Sequence, residues 1–294
     1  MFERILFPTD GSEGANVAFD HVLEMAAAHD ATVHVLNVAD TTRDSVTLVR
    51  GQVVDALQRK GTEVVREAAE RASDHGVATV TDVLQGEPYS TIVDYAETCG
   101  ADLVVMPTHG RQGLERFLLG STTERVVRRS TVPVLTIRPD DDVSVRYPYR
   151  NVLVPTDGSD CADAALAVAI DVATAEEAAL HLLSVVDVSS LGVDVRTHLR
   201  LEPLEASANE ILDQATAVAA AEDVDIASRQ VAFDASVSRA IREYIGEHDV
   251  DLVAVGTHGR TGFDRYVLGS VAEHLVRTAS VPVLTVRGAA GDTA

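Results

Sequence analysis

Two short stretches of the chain have residue types and spacing suited to holding a phosphate-bearing ligand. One is Pro155-Thr156-Asp157-Gly158-Ser159, which follows an apolar run. The other is Gly256-Thr257-His258-Gly259-Arg260, then a loop carrying Arg265, then Gly269-Ser270-Val271. Glycines let a backbone approach an anion closely and adopt positive φ. Gly269-Ser270 falls where a helix should open, and the N–H groups and dipole of a helix start favour negative charge. Arg260 and Arg265 could neutralise phosphate charge. Asp157 could accept from ribose hydroxyls or hold a hydrated Mg²⁺. Each feature also has a purely structural use. Glycines turn chains, Gly-Ser caps helices, and Asp-Gly makes turns. His109 and His258 read as loop-ordering hydrogen bonders, since no nucleophile accompanies them. There is no GxSxG elbow, Walker A sequence or GxGxxG fingerprint.

Both stretches occur twice. Ile5-Leu6-Phe7-Pro8-Thr9-Asp10-Gly11-Ser12 returns as Val152-Leu153-Val154-Pro155-Thr156-Asp157-Gly158-Ser159. Thr108-His109-Gly110-Arg111 returns as Thr257-His258-Gly259-Arg260, and Leu119-Gly120-Ser121 as Leu268-Gly269-Ser270. Val132-Pro133-Val134-Leu135-Thr136-Ile137 returns as Val281-Pro282-Val283-Leu284-Thr285-Val286. Recurrence in one order at a nearly constant offset marks a duplication. It divides the chain into domains at 1–139 and 150–288, a linker at 140–149 and a tail at 289–294.

In each half, apolar β-branched runs alternate with amphipathic ones. Strands are predicted at 3–7, 32–38, 77–84, 102–106 and 133–138, with helices at 13–29, 47–75, 88–99 and 120–130. The second half repeats the order, with strands at 151–155, 179–186, 225–231, 251–255 and 282–287. Its helices fall at 160–176, 200–222, 235–247 and 270–279. Runs such as Leu103-Val104-Val105-Met106 are apolar throughout, as in a parallel sheet covered on both faces. The expectation is α/β: two tandem doubly wound domains, each a five-stranded parallel sheet with helices on both faces. In such sheets ligands bind beyond the carboxyl ends of the strands, where the strand order reverses. The fifth strand carries a proline, which favours a sheet edge. An apolar edge in each half suggests that the two fifth strands meet, making a pseudo-two-fold dimer within one chain. A further homodimer is left open.

Composition narrows the function classes. The 294 residues include 46 Asp and Glu against 24 Lys and Arg, a formal net charge of −22, with Lys60 the single lysine. A field of that sign repels nucleic acid and anionic lipid. The carboxylate excess is read as suited to a salt-rich cytosol. Cys99 and Cys161 have no metal-ligand or disulfide spacing. The opening Met1-Phe2-Glu3-Arg4-Ile5 has no signal-peptide pattern, and no apolar run approaches membrane-spanning length. A soluble, cytoplasmic protein is expected.

Gly256-Thr257-His258-Gly259, nine residues, then Gly269-Ser270 matches the G-x2-G-x9-G-[S/T] signature of the ATP-binding universal stress proteins. With the Pro-Thr-Asp-Gly-Ser starts and Val-Pro-Val-Leu ends, both halves resemble that family. The resemblance implies an adenine nucleotide ligand: ATP, AMP or ADP, with Mg²⁺ as a candidate. It implies Asp157 at the ribose or metal and the backbone of Val186 at the adenine. Gly256, Gly259, Gly269, Ser270 and Val271 would line the phosphates and sugar, beside Pro155, Thr156, Thr257, His258 and Arg260. First-half counterparts are taken as Asp10, Val38, Gly110, Gly120, Ser121 and Thr122. There Pro107 replaces the signature's first glycine, removing an N–H, so the second half is expected to be the better site.

The implied role is a nucleotide-binding stress-response module whose bound state tunes contact with an unknown protein partner. A nucleotide-free scaffold and a slow ATPase are the alternatives, and no general base for hydrolysis is identifiable. The loops 39–47 and 187–199 differ between the halves and are the expected places for lids or partner contacts.

Overall fold

The structure, a computed structural model, describes residues 2–41, 50–109, 119–140, 143–189, 198–259 and 268–288. The chain separates into unit 1, Met1–Asp141, and unit 2, Asp142–Ala294.

Unit 1 runs β1 (Arg4–Pro8), α1 (Glu13–His29), β2 (Thr32–Asp40), α2 (Arg50–Asp74), β3 (Thr79–Gly86), α3 (Pro88–Cys99), β4 (Leu103–Pro107), α4 (Ser121–Arg129) and β5 (Val134–Ile137). Its strands lie in the order β3-β2-β1-β4-β5, and the pairs are parallel. Unit 2 repeats this with β6 (Asn151–Pro155), α5 (Asp160–Glu176), β7 (Ala179–Asp187), α6 (His198–Ala221), β8 (Ile226–Asp234), α7 (Val237–Glu247), β9 (Leu252–Gly256), α8 (Ser270–Thr278) and β10 (Val283–Val286). The order is β8-β7-β6-β9-β10, again parallel. Each predicted strand and helix is present, so the doubly wound α/β reading holds. The predicted start of the second helix, 47–49, lies outside the described residues. The third strand begins later than expected, after the turn at Gly76 (φ 71°), and pairs with β2 out to Asp40↔Gly86.

The central strands are wholly apolar, and Leu103, Val104, Val105, Val152, Leu153 and Val154 have no exposed surface. Burying each such side chain contributes about 1.5–3 kcal/mol. Small residues let the covering helices lie close. The face of α1 toward the sheet is Ala15, Ala18, Phe19, Val22, Leu23 and Ala26, and that of α5 is Ala162, Ala165, Leu166, Ala169, Ile170 and Ala173. Phe7 meets Phe19 with ring centroids 4.8 Å apart.

A repeated aspartate ties the first strand to the fourth. Asp102 Oδ2 accepts from the backbone N–H groups of Glu3 and Arg4, both at 2.8 Å. Asp251 Oδ2 accepts from Arg150 at 2.9 Å and Asn151 at 3.0 Å. Pairing between these strands is short, covering Ile5↔Leu103 and Leu6↔Val104 in unit 1 and Val152↔Leu252 and Leu153↔Val253 in unit 2. Beyond those pairs the strand tips part, and a crevice opens at the point where strand order reverses.

Within the segment read as a linker, Tyr149 is buried and makes an edge-on contact with Tyr147, whose hydroxyl donates to Glu176. Both tyrosines pack into unit 2.

Candidate functional site

The crevice of unit 2 is built from β6, β9 and the helices that follow them. After β6, Asp157 Oδ1 accepts from Ser159 N–H at 3.1 Å, and Thr156 Oγ1 from Gly158 N–H at 3.2 Å. Gly158 has φ 69°, the left-handed conformation that glycine adopts without steric cost. Ser159 caps α5, accepting from Ala162 N–H at 3.4 Å, while its hydroxyl donates to His258 O at 3.4 Å. One serine therefore starts a helix and ties the turn after β6 to the turn after β9.

The turn after β9 is anchored on both sides. Thr257 N–H donates to Val286 O at 2.9 Å, Gly269 N–H donates to Thr257 O at 2.8 Å, and Thr257 Oγ1 lies 3.0 Å from His258 Nδ1. His258 therefore sits in the loop's hydrogen-bond network. Gly269 is the N-cap of α8, with Ser270 and Val271 in the first turn, where helix N–H groups have no intrahelical acceptor.

Of the two uses expected of the glycines, close approach and positive φ, the second is not found at the signature positions. Gly256, Gly259 and Gly269 are not among the residues with positive φ; Gly269 has φ −62°. They allow close approach to neighbouring protein atoms. A Cβ on Gly259 would lie 2.7 Å from Asp157 Oδ2, and one on Gly269 would lie 3.1 Å from Thr257 O. At Gly256 it would lie 2.7 Å from the carbonyl carbon of Cys161.

Unit 1 has the same skeleton. Asp10 Oδ1 accepts from Ser12 N–H at 2.9 Å, Thr9 Oγ1 accepts from Gly11 N–H at 3.1 Å, and Gly11 has φ 72°. Ser12 caps α1 through Ala15 N–H at 3.3 Å. Gly120 caps α4, with Ser121 and Thr122 in the first turn, and its N–H donates to Thr108 O at 2.7 Å. Pro107 O accepts from Thr123 Oγ1 at 2.9 Å.

The sheet register corrects one correspondence. Pro8 lies opposite Leu36 and Pro155 opposite Leu183, so Val38 matches Val185 and Ala39 matches Val186. Neighbouring strand residues face opposite sides of a sheet. Val38 and Val186 therefore do not occupy equivalent places. Gly110, Arg111, Arg260 and Arg265 lie outside the described residues, as do most of the two loops expected to form lids.

A groove of about 570 Å³ lies at the other, amino-terminal end of the unit 1 strands, lined by Glu3, Arg4, His29, Asp30, Thr32 and His34. It lies at the opposite end of the unit 1 strands from the Asp10 turn.

The profile of the Universal stress protein family matches residues 1–138 and 148–287. The chain belongs to the universal stress protein family. A universal stress protein of Mycobacterium tuberculosis is 31% identical over 238 residues, spanning 78% of this chain and 77% of that protein. One from Methanocaldococcus jannaschii is 36% identical over 141 residues, 47% of this chain and 83% of its own length. The crystal structure of a universal stress protein from Archaeoglobus fulgidus superposes with TM-score 0.75 at 24% identity, covering 98% of this chain and 99% of that one, and shares its fold. The doubling seen in the sequence is thus a doubling of the universal stress protein domain.

Wall residues that motif reading passed over also shape the site. Cys161 stands beside Gly256 and Gly288, and Gly14 and Pro139 occupy the matching places of Cys161 and Gly288 in unit 1. The signal was available only by setting the two halves side by side at positions outside the signature.

Proposed function

We propose that unit 2 of this universal stress protein binds an adenine nucleotide, ATP or its AMP and ADP relatives, and that occupancy tunes the protein's contact with a partner in a stress response. The observation that carries this reading is the stacking of Gly259 against Asp157 at the strand tips, with Gly269 opening α8 beside them. The first-turn N–H groups of α8 suit phosphate, and the Asp157 carboxylate suits ribose hydroxyls. The backbone of Val186 is offered to the base. A side chain at 259 or 269 would press on Asp157 or on the Thr257 carbonyl and displace the walls of the cradle.

Among the described residues no three of His, Cys, Asp and Glu are placed to hold a metal ion. A Mg²⁺ ion accompanying the nucleotide would therefore be held by its phosphates and by Asp157, through water. The reading favours binding and release over rapid hydrolysis. Among the described residues no helix is long and apolar enough to cross a membrane. The net charge of −22 argues against nucleic acid as the partner. The repeated Val-Pro-Val-Leu-Thr sequences further support pairing of the two fifth strands within the chain. A disulfide formed between Thr136→Cys and Thr285→Cys would test that pairing.

The test of the ligand is calorimetric titration of ATP with Mg²⁺ in high KCl, on the wild type and on Gly259→Val. Binding that the substitution abolishes places the nucleotide in unit 2. Binding that survives moves it to unit 1, and no binding in the wild type leaves a scaffold that works without nucleotide.

A further inference from the structure

Three positions around the crevice are exchanged together between the units. Gly14 and Cys161 each stand four residues beyond the crevice aspartates Asp10 and Asp157. Pro107 and Gly256 each close the fourth strand, opposite Ile137 and Val286. Pro139 and Gly288 each lie two residues beyond those partners. Unit 1 thus has Gly-Pro-Pro where unit 2 has Cys-Gly-Gly.

In unit 2 the first position touches both of the others, and in unit 1 it touches the third. In unit 2 a Cβ on Gly256 would lie 2.7 Å from Cys161 C and 2.8 Å from Cys161 Cβ, and a Cβ on Gly288 would lie 3.1 Å from Cys161 Sγ. Gly288 N–H also donates to Cys161 Sγ at 3.3 Å. The start of α5 therefore approaches the end of β9 more closely than any residue with a Cβ would permit, and the thiol fills the space between two glycines. In unit 1 the bulk is on the other side. A Cβ on Gly14 would lie 2.9 Å from Pro139 Cγ and 3.0 Å from His109 O. Pro139 thus covers a residue without a side chain, and the turn after β4 rests on α1.

The exchange also changes the donors in the crevice. Val253 and Thr257 turn their N–H groups toward β10, bonding Pro282 O and Val286 O. Successive N–H groups of a strand point to alternate edges, so the N–H of Gly256 points the other way. That is the side of β6, beyond the last β6–β9 pair at Leu153↔Val253. Pro107 has no N–H to offer at the same point.

We propose that these three positions form one determinant that sets the two crevices apart, with Cys161 as the positioning residue of unit 2. The thiol props the turn Gly256–Gly259 over Asp157 and leaves the Gly256 N–H facing the crevice, whereas Gly14 lets the matching turn settle on α1. Pro107 is then one part of a compensated set and no isolated defect. This inference rests on nucleotide binding in unit 2.

The experiment titrates the full chain with ATP and follows thermal unfolding of each variant. Cys161→Gly should weaken ATP at least about tenfold, while Cys161→Ser, which keeps most of the volume and an acceptor for Gly288 N–H, should stay within about threefold. The triple variant Gly14→Cys, Pro107→Gly, Pro139→Gly should strengthen the weaker site, and Gly14→Cys alone should only lower the unfolding temperature. Cys161→Gly that binds ATP like the wild type would overturn the inference, as would equal losses in Cys161→Gly and Cys161→Ser. A triple variant that folds and binds no better than wild type would also overturn it. Absence of ATP binding in the wild type would instead remove the nucleotide reading on which it rests.

Discussion

Gly259 packs against Asp157 so closely that a Cβ would stand 2.7 Å from the carboxylate oxygen Oδ2. The aspartate's other oxygen is engaged by Ser159 N–H at 3.1 Å, so the carboxylate has little freedom to turn away. Even the smallest side chain at 259 must displace the loop or the carboxylate. Gly259→Ala should lower ATP affinity at least about tenfold, since small misplacements of positioning groups cost that much or more. Gly246→Ala is the control. It lies in α7, where a Cβ meets nothing within 4 Å, and it should leave binding unchanged while stabilising by about 0.5–1 kcal/mol. Calorimetry and thermal melts on both variants check this.

Ser159 joins two turns by capping α5 and donating to His258 O. Ser159→Ala should cost about 0.5–2 kcal/mol, the usual loss for an N-cap. It should also weaken ATP binding, because the turn that carries Gly259 loses its tie. Ser12→Ala removes the equivalent cap of α1 and should cost similar stability without touching the unit 2 site. Denaturant melts with parallel titrations distinguish the two.

Burial holds the pKa of His21 down to about 4, against an ordinary value of 6.5. His34, His181 and His274 are shifted the same way, each chiefly by burial, with His248 adding to the shift of His181. The unfolded chain then binds more protons than the folded one between the two values. Stability contributed by neutral His21 is complete above about pH 6.5 and lost as pH falls toward 4, at up to about 1.4 kcal/mol per pH unit. Unfolding temperature should drop on going from pH 7 to pH 5, and His21→Leu should flatten that slope. An unchanged slope would show that His21 is not the group responsible.

The net charge of −22 leaves the folded chain under self-repulsion. Salt shortens the reach of that repulsion, from about 10 Å at 0.1 M to about 3 Å at 1 M. The unfolding temperature should therefore rise by several degrees across that range of KCl. A flat or falling curve would contradict the view that the carboxylate surface suits high salt.

Much of the architecture was legible in the residues because the signals were local and doubled. Unbroken apolar runs such as Leu103–Met106 announce strands buried on both faces. Recurrence of each block in the second half confirmed the reading by repetition. The strand tips were less legible. The signature glycines were expected to supply close approach to a ligand and positive φ, yet at Gly256, Gly259 and Gly269 they lack positive φ and make close contact with other parts of the protein. Contact depends on which backbone lies opposite, and no local pattern records that. The equation of Val38 with Val186 failed for a related reason. Register is a property of pairing between strands, and a slip of one residue reverses the face.

By itself, then, the sequence determined the doubling, the order of strands and helices, the family, and which loops gather at one end of each sheet. Those follow from hydrophobic periodicity and from motifs whose members lie close along the chain. Only the tertiary structure decided that Cys161 sits between Gly256 and Gly288, while Gly14 sits beside Pro139. The members of each set come from the first and last thirds of a domain. Their shared volume exists only once the first helix has packed over the tips of the fourth and fifth strands.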